Sequence, residues 1–180
     1  MATSSSDRKV VAVFGGGAPQ QGSPAYIEAQ QLGRLLAQAD YSVMNGGYSG
    51  TMEAVSRGAN EAGGHVIAVT SQVFSVPVNG WFHEEVCTTD LFERLRHIIE
   101  PADAYIILRG GMGTLAELAV VWNLAKLGSA KPIILLGDAW RSVFESIRAE
   151  LYVSEDELRH FQFVDDPAEA CEALRQAIQR

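Results

Sequence analysis

The sequence predicts an α/β protein whose open parallel sheet carries helices on both faces. Short runs rich in Val and Ile alternate with helical stretches along the whole chain, as they do in parallel sheets. These runs are almost continuously apolar, which is typical of parallel strands buried on both sides. Three of the predicted strands also end in glycine-rich segments. Ligands of such sheets bind beyond the carboxyl ends of the strands, where the strand order reverses.

The predicted elements follow one another in a regular order. A buried strand over residues 9–14 ends at three glycines, and Ser23 and Pro24 supply the N-cap and first position of a helix over 24–39. Residues 71–85 are irregular, and their length predicts a lid. Thr89 is predicted to cap the helix after it. The other predicted strands cover 41–44, 65–70, 104–108, 132–136 and 161–164. The other predicted helices cover 51–62, 90–100, 140–151 and 167–179, and one more runs from the glycine-rich turn after residue 108 to about residue 127.

The composition and net charge of the chain argue against several classes of protein. The 180 residues are 47% hydrophobic and 20% charged, which predicts a single domain over 9–180 behind a disordered leader at 1–8. A net charge of −8 argues against a nucleic-acid partner, since no strong positive field surrounds the protein. No run is long and apolar enough for a membrane span, and the first residues are not a signal peptide, so we expect a cytoplasmic protein. The two cysteines and four histidines lack metal-ligand spacing, and neither a metal nor a cofactor is predicted.

The most informative motif is a glycine-rich turn between a strand and a helix. Over residues 109–117 it reads Arg-Gly-Gly-Met-Gly-Thr-Leu-Ala-Glu, directly after the apolar run 104–108. Backbone N–H groups freed at such a turn favour anions, so the turn is predicted to hold a phosphate. Its acid, Glu117, is predicted in the first turn of the helix. A carboxylate facing the phosphate would repel it, so we expect Glu117 to face another part of the ligand. The alternative is a charge merely favoured by the helix dipole.

A second turn of the same kind follows the strand at 41–44. Residues 45–53 read Asn-Gly-Gly-Tyr-Ser-Gly-Thr-Met-Glu, and a further glycine segment occupies 15–17. We expect all three segments to meet in one crevice. The alternative is that these glycines only make tight turns, although two such turns in one chain favour ligand binding. No usable dinucleotide-binding or Walker pattern is present, so a dinucleotide cofactor is not predicted.

Two arginines precede the strand at 104–108. Arg94 and Arg96 are two residues apart on a predicted helix and point in different directions, so at most one is expected to enter the crevice. The alternative is that both belong to a solvated helix face.

Taken together, these motifs resemble those of the LONELY GUY family, the cytokinin riboside 5′-monophosphate phosphoribohydrolases. Residues 109–117 are similar to its Pro-Gly-Gly-x-Gly-Thr-x-x-Glu signature, and the resemblance extends over about residues 9–137 through the turn at 46–52 and the segment 61–67. It implies a Rossmann-like, dimeric hydrolase. Such an enzyme splits AMP or an N6-modified AMP into free base and ribose 5-phosphate. Trp122, Leu124 and Leu127 are then either interface or core residues.

The resemblance also implies roles for individual residues. The signature glutamate is Glu117, and the family's catalytic arginine, fifteen positions before the signature, falls on Arg94. A carboxylate at Glu117 would stabilise the positive charge that develops on the ribose and orient a water molecule. Arg94 is no general acid at neutral pH, so it is assigned to holding Glu117 ionised or to binding the phosphate or ribose. The implied phosphate contacts are Gly110, Gly111, Gly113 and Thr114, with Gly46 and Gly47 nearby.

Four features depart from the family pattern. Arg109 replaces the signature proline, Val120 replaces a further acid, and Leu95 replaces a lysine. The opening loop at residues 15–18 reads Gly-Gly-Gly-Ala in place of a Gly-Ser-Ser type. Arg109 and Val120 favour an alternative function, a non-catalytic nucleotide or molybdenum-cofactor carrier of the same superfamily, whereas Arg94 and Glu117 favour the enzyme. Bacterial family members have been labelled "possible lysine decarboxylase". That activity is rejected, because no lysine here lies in a pattern typical of a pyridoxal phosphate site.

Overall fold

The computed structural model describes residues 8–178, and the predicted leader at 1–8 lies outside that range except for Arg8. The strands are β1 Val10–Phe14, β2 Ser42–Asn45, β3 Val66–Ser71, β4 Glu84–Thr88, β5 Ala104–Ile107, β6 Ile133–Leu136 and β7 Phe161–Val164. The helices are α1 Pro24–Gln38, α2 Thr51–Glu61, α3 Leu91–Ile99, α4 Met112–Lys126, α5 Asp138–Glu150, α6 Glu155–Leu158 and α7 Pro167–Ile178. Within the described range, none of these helices has the length and apolar character needed to cross a bilayer.

All seven of these strands lie parallel in one sheet, in the order β4-β3-β2-β1-β5-β6-β7. The chain builds outward from β1 to β4 and then returns to place β5 on the other side of β1. At this reversal, Val11 of β1 pairs with both Val43 and Ala104. The crevice of such a sheet opens where the order reverses, so the ligand site is expected beyond the ends of β1 and β5.

Helices cover both faces of the sheet, as predicted. Successive side chains of a strand point to opposite faces. Val11 and Val13 therefore pack with α1, α2 and α7, while Ala12 and Phe14 pack with α3, α4 and α5. The fold is thus the Rossmann-like α/β sheet that the sequence predicted.

Strand β4 was missed by the sequence analysis, which placed part of it in the irregular lid. It lies at the edge of the sheet and pairs only with β3. Its first residues, Glu84 and Glu85, are exposed, so the run lacks the apolar character of the other strands. Charged residues on an edge strand discourage pairing with other molecules. The irregular segment is therefore residues 72–83.

The predicted helices are present with small differences at their ends. Ser23 caps α1 as predicted, since its hydroxyl accepts a hydrogen bond from the Tyr26 N–H. The prediction for α3 was wrong by one residue, because Asp90 and not Thr89 accepts the N–H bonds that cap it. Thr89 instead donates to the Glu93 carboxylate at 2.7 Å. The short helix α6 was not predicted.

Candidate active site

The three glycine-rich segments meet at the carboxyl ends of β1, β2 and β5, as expected. The Gly16 N–H donates to the Arg109 carbonyl at 3.3 Å, and the Thr51 N–H donates to the Gly16 carbonyl at 2.9 Å. Gly50 has a φ of +70°, and a Cβ there would clash with the backbone of Gly16 and Gly17. The sequence uses glycine at this position because only glycine permits both the conformation and the close approach.

A cavity of about 330 Å³ opens between these segments. Its wall is formed by Gly15, Gly16, Gly17, Tyr48, Ser49, Met52, Phe74, Val76, Arg94, Gly111, Gly113, Thr114 and Glu117. A wider groove of about 520 Å³ surrounds Lys131 and Phe161 at the opposite end of the sheet. The smaller cavity is the candidate site, because Arg94 and Glu117 line it and because it lies where the strand order reverses.

The amino end of α4 supplies hydrogen-bond donors to this cavity. Gly111 is the N-cap and offers no side chain, so the helix leaves the N–H groups of Met112, Gly113 and Thr114 open. Gly110 does not line the cavity, but a Cβ there would clash with the Thr114 hydroxyl. Gly110 therefore makes room for Thr114. Such a helix terminus favours an anion.

Glu117 faces the same cavity from the second turn of α4. The prediction of the first turn was wrong, because the helix begins only at Met112. Glu117 follows Thr114 by three residues and so shares its face of the helix. The side chain is buried, with 6% of the residue exposed. Burial raises the pKa of the Glu117 carboxyl to about 7, although Arg94 beside it favours the ionised form.

Arg94 enters the cavity from α3, and Arg96 does not. Nη1 of Arg94 lies 3.5 Å from Oε1 of Glu117, and Nε donates to the Val69 carbonyl at 2.8 Å. Both partners of this ion pair are more than nine-tenths buried. Arg96 points to solvent and lies 3.9 Å from Glu100. The expectation that at most one of the two arginines enters the crevice is confirmed.

Two aromatic rings that the sequence analysis did not select flank Arg94. Its guanidinium carbon lies 5.7 Å from the ring centre of Tyr48 and 5.5 Å from that of Phe74. The two rings meet edge to face at 5.5 Å. Such contacts favour a cation beside the rings. The sequence signal that could have found Phe74 is its position as an aromatic residue among the valines of the predicted lid.

Asn79 attaches the irregular segment 72–83 to the turn after β2. Its N–H donates to the Gly47 carbonyl at 2.8 Å, and its side chain donates to the Tyr48 carbonyl at 2.9 Å. Residues 72–78, which precede this attachment, are exposed along their whole length. The segment therefore brings Phe74 and Val76 to the cavity from a part of the chain that is otherwise in solvent.

Gly46 and Gly47 are not part of the cavity wall, although the resemblance implied phosphate contacts for them. A Cβ at Gly46 would clash with Nη2 of Arg94. The Gly47 N–H already donates to the Asn45 side chain at 2.8 Å, so it is not free for a phosphate. The fully buried Asn45 also donates to the Ser56 hydroxyl at 2.8 Å. This turn thus makes the space that Arg94 occupies.

Comparisons with known proteins agree with this fold and motif. The SLOG cluster4 family matches residues 8–171. The chain is 30% identical over 165 residues to a cytokinin riboside 5′-monophosphate phosphoribohydrolase of Mycobacterium tuberculosis, covering 84% of this chain and 88% of that protein. It is 32% identical over 177 residues to the protein of the same name from Mycobacterium marinum, covering 92% and 93%.

A solved structure agrees with the fold. The molybdenum cofactor binding protein of Rippkaea orientalis superposes with a TM-score of 0.75 at 24% identity, over 95% of this chain and 98% of that one. At this identity the likeness concerns the fold alone. Within residues 8–178, no three His, Cys, Asp or Glu side chains are grouped so as to hold a metal ion. The family match and the two mycobacterial relatives confirm the relationship to the LONELY GUY proteins, and the chain belongs to the SLOG cluster4 family.

Proposed function

We propose that this protein hydrolyses the N-glycosidic bond of a nucleoside 5′-monophosphate, AMP or an N6-modified AMP, to free base and ribose 5-phosphate. The observation that carries the proposal is a buried carboxyl one helical turn beyond an open helix amino terminus. The relatives' names describe a 5′-monophosphate substrate and a phosphoribohydrolase activity. Incubation with AMP and measurement of released adenine tests the proposal directly.

The phosphate binds, in this proposal, at the amino end of α4. The N–H groups of Gly111, Met112, Gly113 and Thr114 contribute backbone donors, and Gly110 lets Thr114 approach. A phosphate accepts several such hydrogen bonds, and the helix dipole favours its charge. Glu117 then lies about 5 Å further along the axis, since one turn of helix rises by that amount. The ribose spans this distance and brings its anomeric carbon near the carboxylate.

Glu117 and Arg94 carry the chemistry in the proposed reaction. As the bond to the base breaks, the ribose gains oxocarbenium character, which the Glu117 carboxylate stabilises. The same carboxylate orients a water molecule, which adds to the anomeric carbon. The departing base takes the bonding electrons and, overall, the proton that the added water molecule loses. Arg94 remains protonated and favours the ionised form of Glu117.

Met112→Pro is expected to weaken substrate binding without unfolding the protein. Met112 is 79% exposed and occupies the first position of α4, where proline is tolerated. The preceding Gly111 is extended, as a residue before proline prefers. The variant loses one N–H donor, and a hydrogen bond to a charged group is worth about a tenfold to hundredfold change in KM for AMP. Met112→Ala, which keeps the N–H, is the control. An unchanged KM in the proline variant would place the phosphate elsewhere.

A non-catalytic nucleotide or molybdenum-cofactor carrier is the second candidate. The observation that favours it is Val120, which packs half-buried against the core where the family signature has a further acid. A carrier of this kind would bind AMP and release no adenine. Binding of AMP without adenine release therefore favours the carrier over the hydrolase.

We propose a homodimer through the outer face of α4. Leu124 of this helix is 36% exposed, and Leu127, its C-cap residue, is 83% exposed. Trp122 is excluded from this face, because its indole N–H donates to the Glu157 carbonyl and its ring packs on Phe144. Light scattering is expected to give about twice the chain mass of 19.5 kDa. A mass equal to one chain would contradict the dimer.

A further inference from the structure

We propose that Tyr48 is a positioning residue, which holds the end of β3 and thereby keeps Arg94 against Glu117. In this role Tyr48 acts on the reaction through Arg94 and not by a contact of its own with the substrate. The effect on the reaction rate rests on the proposed function, whereas the effect on the ionisation of Glu117 does not.

The end of β3 extends beyond its neighbour β2 in the sheet. The last residue of β2 is in register with Ala68, so the three final residues of β3 have no β2 residue opposite them. Buried main-chain N–H and C=O groups need hydrogen-bond partners. Arg94 supplies one by donating from Nε to the Val69 carbonyl at 2.8 Å. Tyr48 supplies the partners of Ser71, two residues further along the strand.

The Tyr48 hydroxyl binds both main-chain polar groups of Ser71. It accepts from the Ser71 N–H at 2.9 Å and donates to the Ser71 carbonyl at 3.2 Å, and both bonds are buried. Tyr48 itself is 7% exposed. Leaving buried main-chain groups without a partner is costly. The hydroxyl therefore fixes the strand next to the carbonyl that holds Arg94.

The Tyr48 ring reaches the same guanidinium directly. Its centre lies 5.7 Å from the guanidinium carbon of Arg94, a distance at which a cation is attracted to the ring. Tyr48 thus acts on Arg94 from two directions, through the main chain of β3 and through its ring. The guanidinium in turn lies 3.5 Å from the Glu117 carboxylate. A displacement of the end of β3 therefore changes the geometry of the charged pair.

The first experiment measures the ionisation of Glu117 in Tyr48→Phe protein. The variant keeps the ring beside Arg94 but leaves the two Ser71 groups unpaired, so the end of β3 is expected to shift. The midpoint of Glu117 ionisation is expected to rise by about one pH unit, part of the effect that a neighbouring guanidinium has on a carboxyl. Infrared spectra measure it without substrate, and the Glu117 band is identified by its absence in Glu117→Gln. An unchanged midpoint would overturn the proposal.

The second experiment separates positioning from substrate contact. With AMP, kcat of Tyr48→Phe is expected to fall by about tenfold, as misplacing a catalytic group does. The affinity of Glu117→Gln protein for AMP is expected to be unchanged by the same substitution. A loss confined to that affinity would show that Tyr48 contacts the ligand and would contradict the positioning role.

Tyr105→Phe is the matched control for both experiments. Tyr105 is as well buried, at 2% exposure, and its hydroxyl donates to the Ile99 carbonyl at 2.9 Å. It lies outside the cavity wall. This variant also loses a buried hydroxyl, but it is expected to keep the rate and the midpoint of the wild type. The same changes in Tyr105→Phe as in Tyr48→Phe would show a general loss of packing and would contradict the proposal.

A double variant tests whether the effect passes through Arg94. In Arg94→Gln protein the guanidinium is already gone, so adding Tyr48→Phe is expected to leave the midpoint of Glu117 ionisation where the single Arg94 variant has it. Residues that act through one another show such non-additive effects. A further rise, equal to the one that Tyr48→Phe causes alone, would overturn the route through Arg94.

These outcomes separate the positioning role from the proposed reaction. If no nucleotide releases its base but Tyr48→Phe raises the midpoint of Glu117 ionisation, the hydrolase is wrong and the positioning role stands. If adenine is released from AMP and Tyr48→Phe changes neither the midpoint nor kcat, the hydrolase stands and the positioning role is overturned.

Discussion

Glu117→Gln is expected to abolish base release while nucleotide binding survives. The amide keeps the size of the side chain in its buried place but cannot carry the negative charge that the proposed transition state needs. The loss in kcat is expected to be about a hundredfold or more, the usual effect of removing one such group. Steady-state kinetics with AMP and calorimetric titration measure the two quantities.

Glu145→Gln, at an exposed position on α5, is the matched control and is expected to keep full activity. Full activity in Glu117→Gln would exclude the proposed role. Loss of both binding and turnover would instead indicate that the carboxyl contributes to holding the ligand.

The pKa of Glu117 adds a pH signature to this prediction. Because burial raises the pKa to about 7, kcat/KM of the wild-type protein is expected to rise with pH through about 7 as the carboxylate forms. Stability changes in the opposite direction. In the unfolded chain the side chain has the ordinary glutamate pKa of 4.5, so the folded protein holds the proton more tightly and loses stability between pH 4.5 and about 7.

The variant and the wild type are therefore expected to differ in stability only at higher pH. At about pH 8 the Gln variant is expected to be more stable by about 3 kcal/mol, the free energy that matches the pKa shift. At about pH 4, where both states of the wild type are largely protonated, the difference is expected to be small. Denaturant unfolding at the two pH values measures it. Equal stability of the variant and the wild type at both pH values would show that burial does not raise the pKa of the Glu117 carboxyl.

Gly46→Ala is expected to reduce activity almost as strongly, through Arg94. The new methyl group would clash with Nη2 of Arg94 and with the Met52 sulfur. Since the Val69 carbonyl and Glu117 hold the guanidinium in place, it must give up one of these partners. We expect kcat/KM to fall by about tenfold to a hundredfold, as misplacing a catalytic group does.

A pH profile distinguishes this effect from simple loss of packing. Arg94 favours the ionised form of Glu117, so displacing it is expected to move the midpoint of the rate profile above 7. Gly80→Ala is the control, because a Cβ there meets nothing within 4 Å. An unchanged profile and rate in Gly46→Ala would show that the position of Arg94 is unimportant.

The fold was largely predictable because its signals are local. Apolar strands and glycine-rich turns indicate a parallel sheet, and the carboxyl ends of parallel strands share one edge. The convergence of residues 15–17, 46–50 and 110–113 followed from that geometry. Strand β4 escaped because an edge strand can carry charged residues such as Glu84 and Glu85.

The site was only partly predictable, because several of its contacts join segments that are far apart in the sequence. That Glu117 and at most one of the two arginines would enter the cavity was expected from the residues themselves, whereas the choice of Arg94 over Arg96 came from the family resemblance. No local pattern showed that Gly46 makes space for Arg94, since the two belong to different elements of the sheet and its helices. Phe74 and Tyr48 meet only through the fold of the segment 72–83, whose contacts a sequence without periodicity does not predict.

The charged residues of the cavity lie on helices and two of its apolar residues lie on an exposed segment, which has a consequence for protein engineering. Arg94 and Glu117 lie on α3 and α4. Phe74 and Val76 lie instead on the exposed segment that Asn79 attaches to the turn after β2 by hydrogen bonds. Replacing the segment between β3 and Asn79 by a different sequence would change which ligands the cavity accepts and would leave the Arg94–Glu117 pair in place. New substrates for this scaffold are therefore best sought by swapping residues 72–78.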